Sequence, residues 1–214
     1  MKHRGVTMVE MLVVVVIFSL VSLVVFSFTS WVNKTQEITS WKQSAIDAMR
    51  LNEIFWEKHF SAATPQIKSL VVDSKGVIQL TPDIASKPLK IRSAGEGDLM
   101  AKYPDGSKEW AVWQFQTFKK LSTGNSFEEY QVTGFLRGKA PDISLFGRIK
   151  KGAKVVLEQK LLFDVSSISS TVRSYPGENV SVISFEFAIK HPRKPEMVVR
   201  GRSQFKIATD IENL

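Results

Sequence analysis

The chain has 214 residues, a formal net charge of +8, 43% hydrophobic and 23% charged residues, and no cysteine. The lack of cysteine excludes a disulfide framework, a thiolate metal site and a cysteine nucleophile, and the length allows one ordinary globular domain beside a membrane anchor. The basic excess is modest: it fits plain solubility, acidic partners or anionic lipid.

The amino terminus carries the strongest signal. Lys2, His3 and Arg4 form a short basic segment, followed by Gly5, Thr7 and Glu10 and then an uncharged apolar run over residues 11–28. About 20 apolar residues cross the hydrocarbon core of a bilayer, and residues 8–28 meet that length with only Glu10, Ser19, Ser22 and Ser27 as polar interruptions. A conventional secretory signal competes with this, but the run is long for its apolar region and no small-x-small cleavage site follows it. A lone carboxylate inside a span costs roughly 2.5–3.5 kcal/mol at mid-bilayer and less near the edge, so Glu10 calls for a function or a partner.

Basic leader, Gly5, Thr7, Glu10 and the helix beginning Met11-Leu12-Val13-Val14-Val15-Val16-Ile17-Phe18 together resemble the processing signature of the type IV prepilin family. The resemblance implies that a prepilin peptidase cuts between Gly5 and Val6 and methylates the new amino terminus at Val6, where family members usually carry phenylalanine. It also implies that Glu10 serves assembly by pairing with the amino terminus of a neighbouring subunit, which fixes register in a filament. The residues suit these roles. Gly5 lets an extended backbone lie close to a protease, and Lys2 and Arg4 hold the leader on the cytoplasmic side. The expected divisions are a leader over 1–5, a transmembrane helix over 6–29, an amphipathic continuation over 30–63 and a β-rich extracytoplasmic domain over 64–214.

Beyond the span, Ile38, Trp41, Ala45, Met49, Trp56 and Phe60 advance by three, four or seven, which marks one face of a helix. Thr64-Pro65 ends it, because Pro65 lacks a backbone donor and disfavours helical geometry at Thr64. Downstream, Ala111, Trp113 and Phe115 alternate with Val112, Gln114 and Gln116. Ile183, Phe185, Phe187 and Ile189 alternate with Ser184, Glu186, Ala188 and Lys190, and Val199, Ser203, Phe205 and Ile207 oppose Arg200, Arg202, Gln204 and Lys206. Further strands are expected at 66–72, 76–80, 127–137, 145–150 and 153–165, separated by turn sequences such as Lys151-Gly152 and Pro176-Gly177. The fold class expected is α+β, a long amino-terminal helix packed on antiparallel sheets, which the resemblance also implies.

Little in the domain carries chemistry. His3, His59 and His191 are scattered, and Gly95-Glu96-Gly97-Asp98 lacks the regular acidic spacing of a calcium loop, so no catalytic residue, metal site or cofactor is expected. The one candidate ligand surface is the basic cluster Lys190, His191, Arg193, Lys194, Arg200 and Arg202 around Pro192 and Pro195. A solvated face is the plainer account of it, and nucleic acid is not the expected partner.

The anchor ending in Ile17-Phe18-Ser19-Leu20, the helical segment Leu51-Asn52-Glu53-Ile54-Phe55-Trp56-Glu57-Lys58-His59-Phe60 and the large domain together resemble the J-type minor pseudopilins of type II secretion and the large minor pilins of type IV pili, and Ser27-Phe28, where many major pilins have a helical proline, leans the same way. This implies a non-enzymatic subunit that initiates or caps an inner-membrane filament. Its partners would be other minor pilins or pseudopilins, prepilin peptidase and an assembly platform. It would cross the bacterial inner membrane once, with its amino terminus cytoplasmic and its domain periplasmic. A pilus-tip subunit that engages DNA or a surface is the alternative.

Overall fold

The computed structural model describes residues 7–61, 67–72, 78–84, 89–92, 98–104, 106, 108–120, 127–175, 180–207 and 211–214. The chain divides into two compact units, Met1–Ser44 and Ala45–Leu214. A single helix, α1 (Met8–Ser61), begins in the first and ends in the second.

In the first unit α1 is apolar and bare. Every large apolar side chain over residues 8–28 is exposed, and the helix, which contains an 18-residue window of mean hydropathy 3.0, is long and apolar enough to cross a membrane. Two of its hydroxyls are satisfied inside the helix: Ser19 Oγ donates to Val15 O and Thr29 Oγ1 to Val25 O, each at 2.8 Å. Such back-bonding leaves neither of these two donors for lipid to satisfy.

The second unit is built on the last turns of α1. Ala45, Asn52, Phe55, Trp56 and Phe60 are buried there, and Ile46, Leu51 and Ile54 on the other side are exposed. Of the expected stripe Ala45, Trp56 and Phe60 are buried and Ile38, Trp41 and Met49 half-buried, and Asn52 and Phe55 are added to it. Among the described residues three sheets accompany the helix. The first is an antiparallel pair, β1 (Ile67–Val72) and β2 (Ile78–Ile84). The largest has six strands: β3 (Leu89–Ile91), β4 (Trp110–Lys120), β5 (Phe127–Arg137), β6 (Ser144–Lys151), β7 (Lys154–Leu162) and β11 (Ile211–Asn213), in the order β11-β3-β4-β5-β6-β7. The third is β8 (Val165–Tyr175), β9 (Val180–Lys190) and β10 (Val198–Ile207), in the order β10-β9-β8. Pairing is antiparallel throughout except between β3 and β11, which run parallel, an arrangement open to them because the connection between them is long.

The helix meets both larger sheets through aromatic rings. Trp56 stands edge-on to Trp113 of β4 at 4.8 Å, and Phe60 stacks on Phe115 at 4.8 Å while also meeting Phe205 of β10 at 4.8 Å. Trp113 and Phe185 of β9 lie 4.6 Å apart, which closes the cluster between the sheets. Two facing glycines make room. Gly134 and Gly147 pair across β5 and β6; a Cβ on Gly134 would overlap the Trp113 indole, and one on Gly147 would lie 2.6 Å from the Phe55 ring. The buried Trp56 Nε1 donates to Asn52 Oδ1 at 2.8 Å, one turn away on the same helix.

Three expectations are corrected. The strand expected over 153–165 ends at Leu162. Asp164 then takes φ 48°, and Val165 opens β8, which joins the other sheet. Strand β8 was not expected at all, since Ser166, Ser167, Ser169 and Ser170 mask its alternation. In β4, Val112 is an extra residue between the pairs Ala111–Phe135 and Trp113–Gly134. Strict alternation would set Trp110 and Trp113 on opposite faces and Ala111 beside Trp113; the bulge resets the phase, so the two tryptophans share a face and Ala111 takes the other.

Candidate functional site

Gly5 and Val6, the expected cleavage pair, lie outside the described residues. The helix start next to them is well defined. Thr7 immediately precedes α1; its backbone N–H donates to Glu10 Oε2 at 2.8 Å, and the backbone N–H of Glu10 donates to Thr7 Oγ1 at 3.3 Å. This is a reciprocal capping box, in which two amides that the helix leaves without partners are satisfied by the two side chains. Glu10 therefore has a local role that went unread in the sequence, although the Thr-x-x-Glu spacing is its ordinary signature. Thr7, carried there only as part of a motif, is the residue that holds Glu10 in place.

The basic cluster divides into two groups. His191 is not at the surface: it is 4% exposed, and its Nδ1 accepts the backbone N–H groups of Arg193 and Lys194, each at 3.1 Å. Those bonds, with His191 N donating to Met197 O at 3.0 Å and Met197 N to Lys194 O at 2.9 Å, shape the connection from β9 to β10. Arg193 and Lys194 belong to that connection. Lys190, Arg200 and Arg202 share one face of the three-stranded sheet and line a groove of about 550 Å³. Register explains why: Val198 pairs with Lys190, Arg200 with Ala188 and Arg202 with Glu186, so the three basic side chains rise on the face opposite Phe185 and Phe187. Arg202 Nε approaches Glu186 Oε1 at 3.6 Å. Sequence reasoning missed the far wall of this groove, Ser166, Ser167 and Ser169, because it missed β8.

Two further polar clusters are structural. Asp98 Oδ1 accepts from Met100 N and from Ile168 N, both at 3.0 Å, which caps the short 3-10 turn Leu99–Lys102 and ties it to β8. Its carboxylate is thus committed to backbone amides; residues 95–97, the rest of the sequence weighed as a cation loop, lie outside the described residues. On the face of the six-stranded sheet opposite Trp113, Arg148 bonds Glu109 and Glu158, and Arg137 bonds the same two carboxylates at 3.2 and 3.1 Å. The Arg148 guanidinium also lies 4.4 Å above the Phe135 ring. Hydrogen bonding from Arg148 pulls the Glu109 carboxyl down to about 2. Among the described residues no group of three His, Asp or Glu side chains is placed to hold a metal ion.

A family model, the prokaryotic N-terminal methylation motif, matches residues 1–26. The match covers the leader, Gly5, Thr7, Glu10 and most of the apolar run, and it supports a type IV prepilin-like chain. The motif implies processing by prepilin peptidase and assembly with other pilins, and chains of this kind are structural subunits, not enzymes. No curated protein and no solved structure matches the chain.

Proposed function

We propose that this chain is a minor pilin or pseudopilin that initiates or caps an inner-membrane filament in type II secretion or type IV pilus biogenesis. The observation that carries the reading is the continuity of α1. The helix whose start bears the methylation motif and the Thr7–Glu10 box also supplies Trp56 and Phe60 to the core of the β-rich unit. Such a subunit has a membrane-length segment available for lipid or for other helices, and a domain whose fold is tied to the same helix. In this reading prepilin peptidase cuts between Gly5 and Val6, the Val6 amine is methylated, and the domain lies in the periplasm. The partners are other minor subunits and an assembly platform.

Intact-mass measurement of chain extracted from membranes tests the first step. We expect a mature species that begins at Val6 with one added methyl group, and an uncut precursor for Gly5→Leu. A mature chain that begins beyond residue 28 would remove the prepilin reading. A second reading, a tip subunit that binds a ligand, draws on the groove beside Arg200.

A further inference from the structure

We propose that the outer face of the three-stranded sheet is a binding groove for an extended acidic peptide segment of a partner protein. The proposal stands apart from the assembly reading and uses none of its residues. The floor of the groove is low because β9 carries Ala188 where Arg200 and Ser167 pair with it from either side. At about 4.8 Å between strands, Arg200 and Ser167 stand on the two edge strands roughly 10 Å apart. Along β9 the groove runs from Lys190 to Glu186, roughly 13 Å at strand rise. That is room for one extended chain.

Charge selects the occupant. Lys190 and Arg200 have no acidic partner among the described residues, whereas Arg202 is beside Glu186, so the groove keeps two uncompensated cations at its Lys190 end. Carboxylates of an incoming peptide would be held there by charge-assisted hydrogen bonds. Glu186 and the serine hydroxyls suit the remaining needs of a peptide, which brings its own N–H donors. The hydroxyl wall is a built feature: the pairing of β8 with β9 shifts between Val165 and Ser167, and the extra residue, Ser166, donates its Oγ to Ala188 O at 3.2 Å. A bulge of this kind re-aims side chains. Nucleic acid fits less well, since sequence-tolerant binding of single strands uses exposed aromatic platforms and the one aromatic residue along the groove, Phe187, is 2% exposed.

The test uses the full chain in nanodiscs and a fluorescent oligo-glutamate peptide, with oligothymidylate and a sulfated polysaccharide as the competing classes. Binding of oligo-glutamate is expected to be tighter than that of either competitor and to weaken with salt. It should fall about tenfold in Arg200→Glu and severalfold in Lys190→Ala, but less than about twofold in Lys206→Glu, which changes the same face of β10 beyond the groove. Arg200→Lys should retain most of the binding, and it decides the matter with Lys190→Ala should Arg200→Glu misfold by circular dichroism. Absence of oligo-glutamate binding, equal losses in the Arg200 and Lys206 variants, or preference for either competitor would overturn the proposal.

Discussion

At the scale of single residues, Thr7 and Glu10 show how one carboxylate can hold two roles that a mutation series can separate. Removing the cap at Thr7 costs a helix start about 1 kcal/mol. A buried charge pair that loses one partner costs roughly 3–5 kcal/mol. If Glu10 serves only the cap, Thr7→Ala and Glu10→Ala should impair assembly alike; in the filament reading they diverge. We expect Glu10→Ala to be inserted and cleaved normally but to lose copurifying subunits, while Thr7→Ala keeps them. Equal and full activity of both variants would reduce Glu10 to a helix cap. Glu109 offers a second residue-scale test, through pH. Its carboxyl titrates near 2 when folded against an ordinary 4.5. The unfolded chain therefore binds the proton first as pH falls, so the contribution of Glu109 is complete above 4.5 and lost on descent towards 2. Acid unfolding of the wild type and Glu109→Gln should differ above pH 4.5 and converge towards pH 2.

At the scale of elements, legibility followed the strength of the side-chain pattern. The apolar run and the stripe through Ala45, Trp56 and Phe60 are periodic over many turns, and α1 lies where that period predicts it. Strands β9 and β10 announce themselves by alternating large apolar side chains with charges. Strand β8 does not: serine is a weak strand former, and its place is fixed by pairing with β9, a contact made at a distance in sequence that no local pattern carries. The same holds for β3 and β11, three residues each, which exist through register with β4 and with each other. The candidate ligand surface shows both outcomes. The polar faces of β9 and β10 gave Lys190, Arg200 and Arg202, but charge alone could not tell a solvated arginine from His191, whose ring is enclosed by its own loop.

For the molecule as a whole, the division into two units leaves the buried part of α1 with the sheets. Trp56 and Phe60 meet rings of β4, β9 and β10, and Phe55 lies against Gly147 of β6, so we expect the β-rich unit to need this helix and not the membrane segment. A fragment that begins at Lys34 should be soluble, with the circular dichroism of a mixed α/β fold. One that begins at Pro65 uncovers Trp113, Phe115 and Phe185 and should aggregate. A well-folded fragment from Pro65 would show that the aromatic cluster closes without the helix.

The bulge at Val112 has a consequence for chain length. In a regular strand, losing one residue turns every side chain on one flank to the other surface, which is why such deletions are seldom survived in sheets. Val112 is the surplus member of β4, so its removal restores one-to-one pairing and leaves Trp110, Ala111 and Trp113 facing as before. The loss is confined to one buried valine, about 1.5–3 kcal/mol of apolar burial, and to the bond that Val112 O accepts from Arg92 N. Deleting Gln114 instead would turn one flank of β4 over and either strip the core of Trp113 or bury polar groups in its place. Thermal melts of the two deletions should therefore part sharply, with the Val112 deletion folded and the Gln114 deletion not. Position 112 is where an insertion or deletion in β4 can be absorbed.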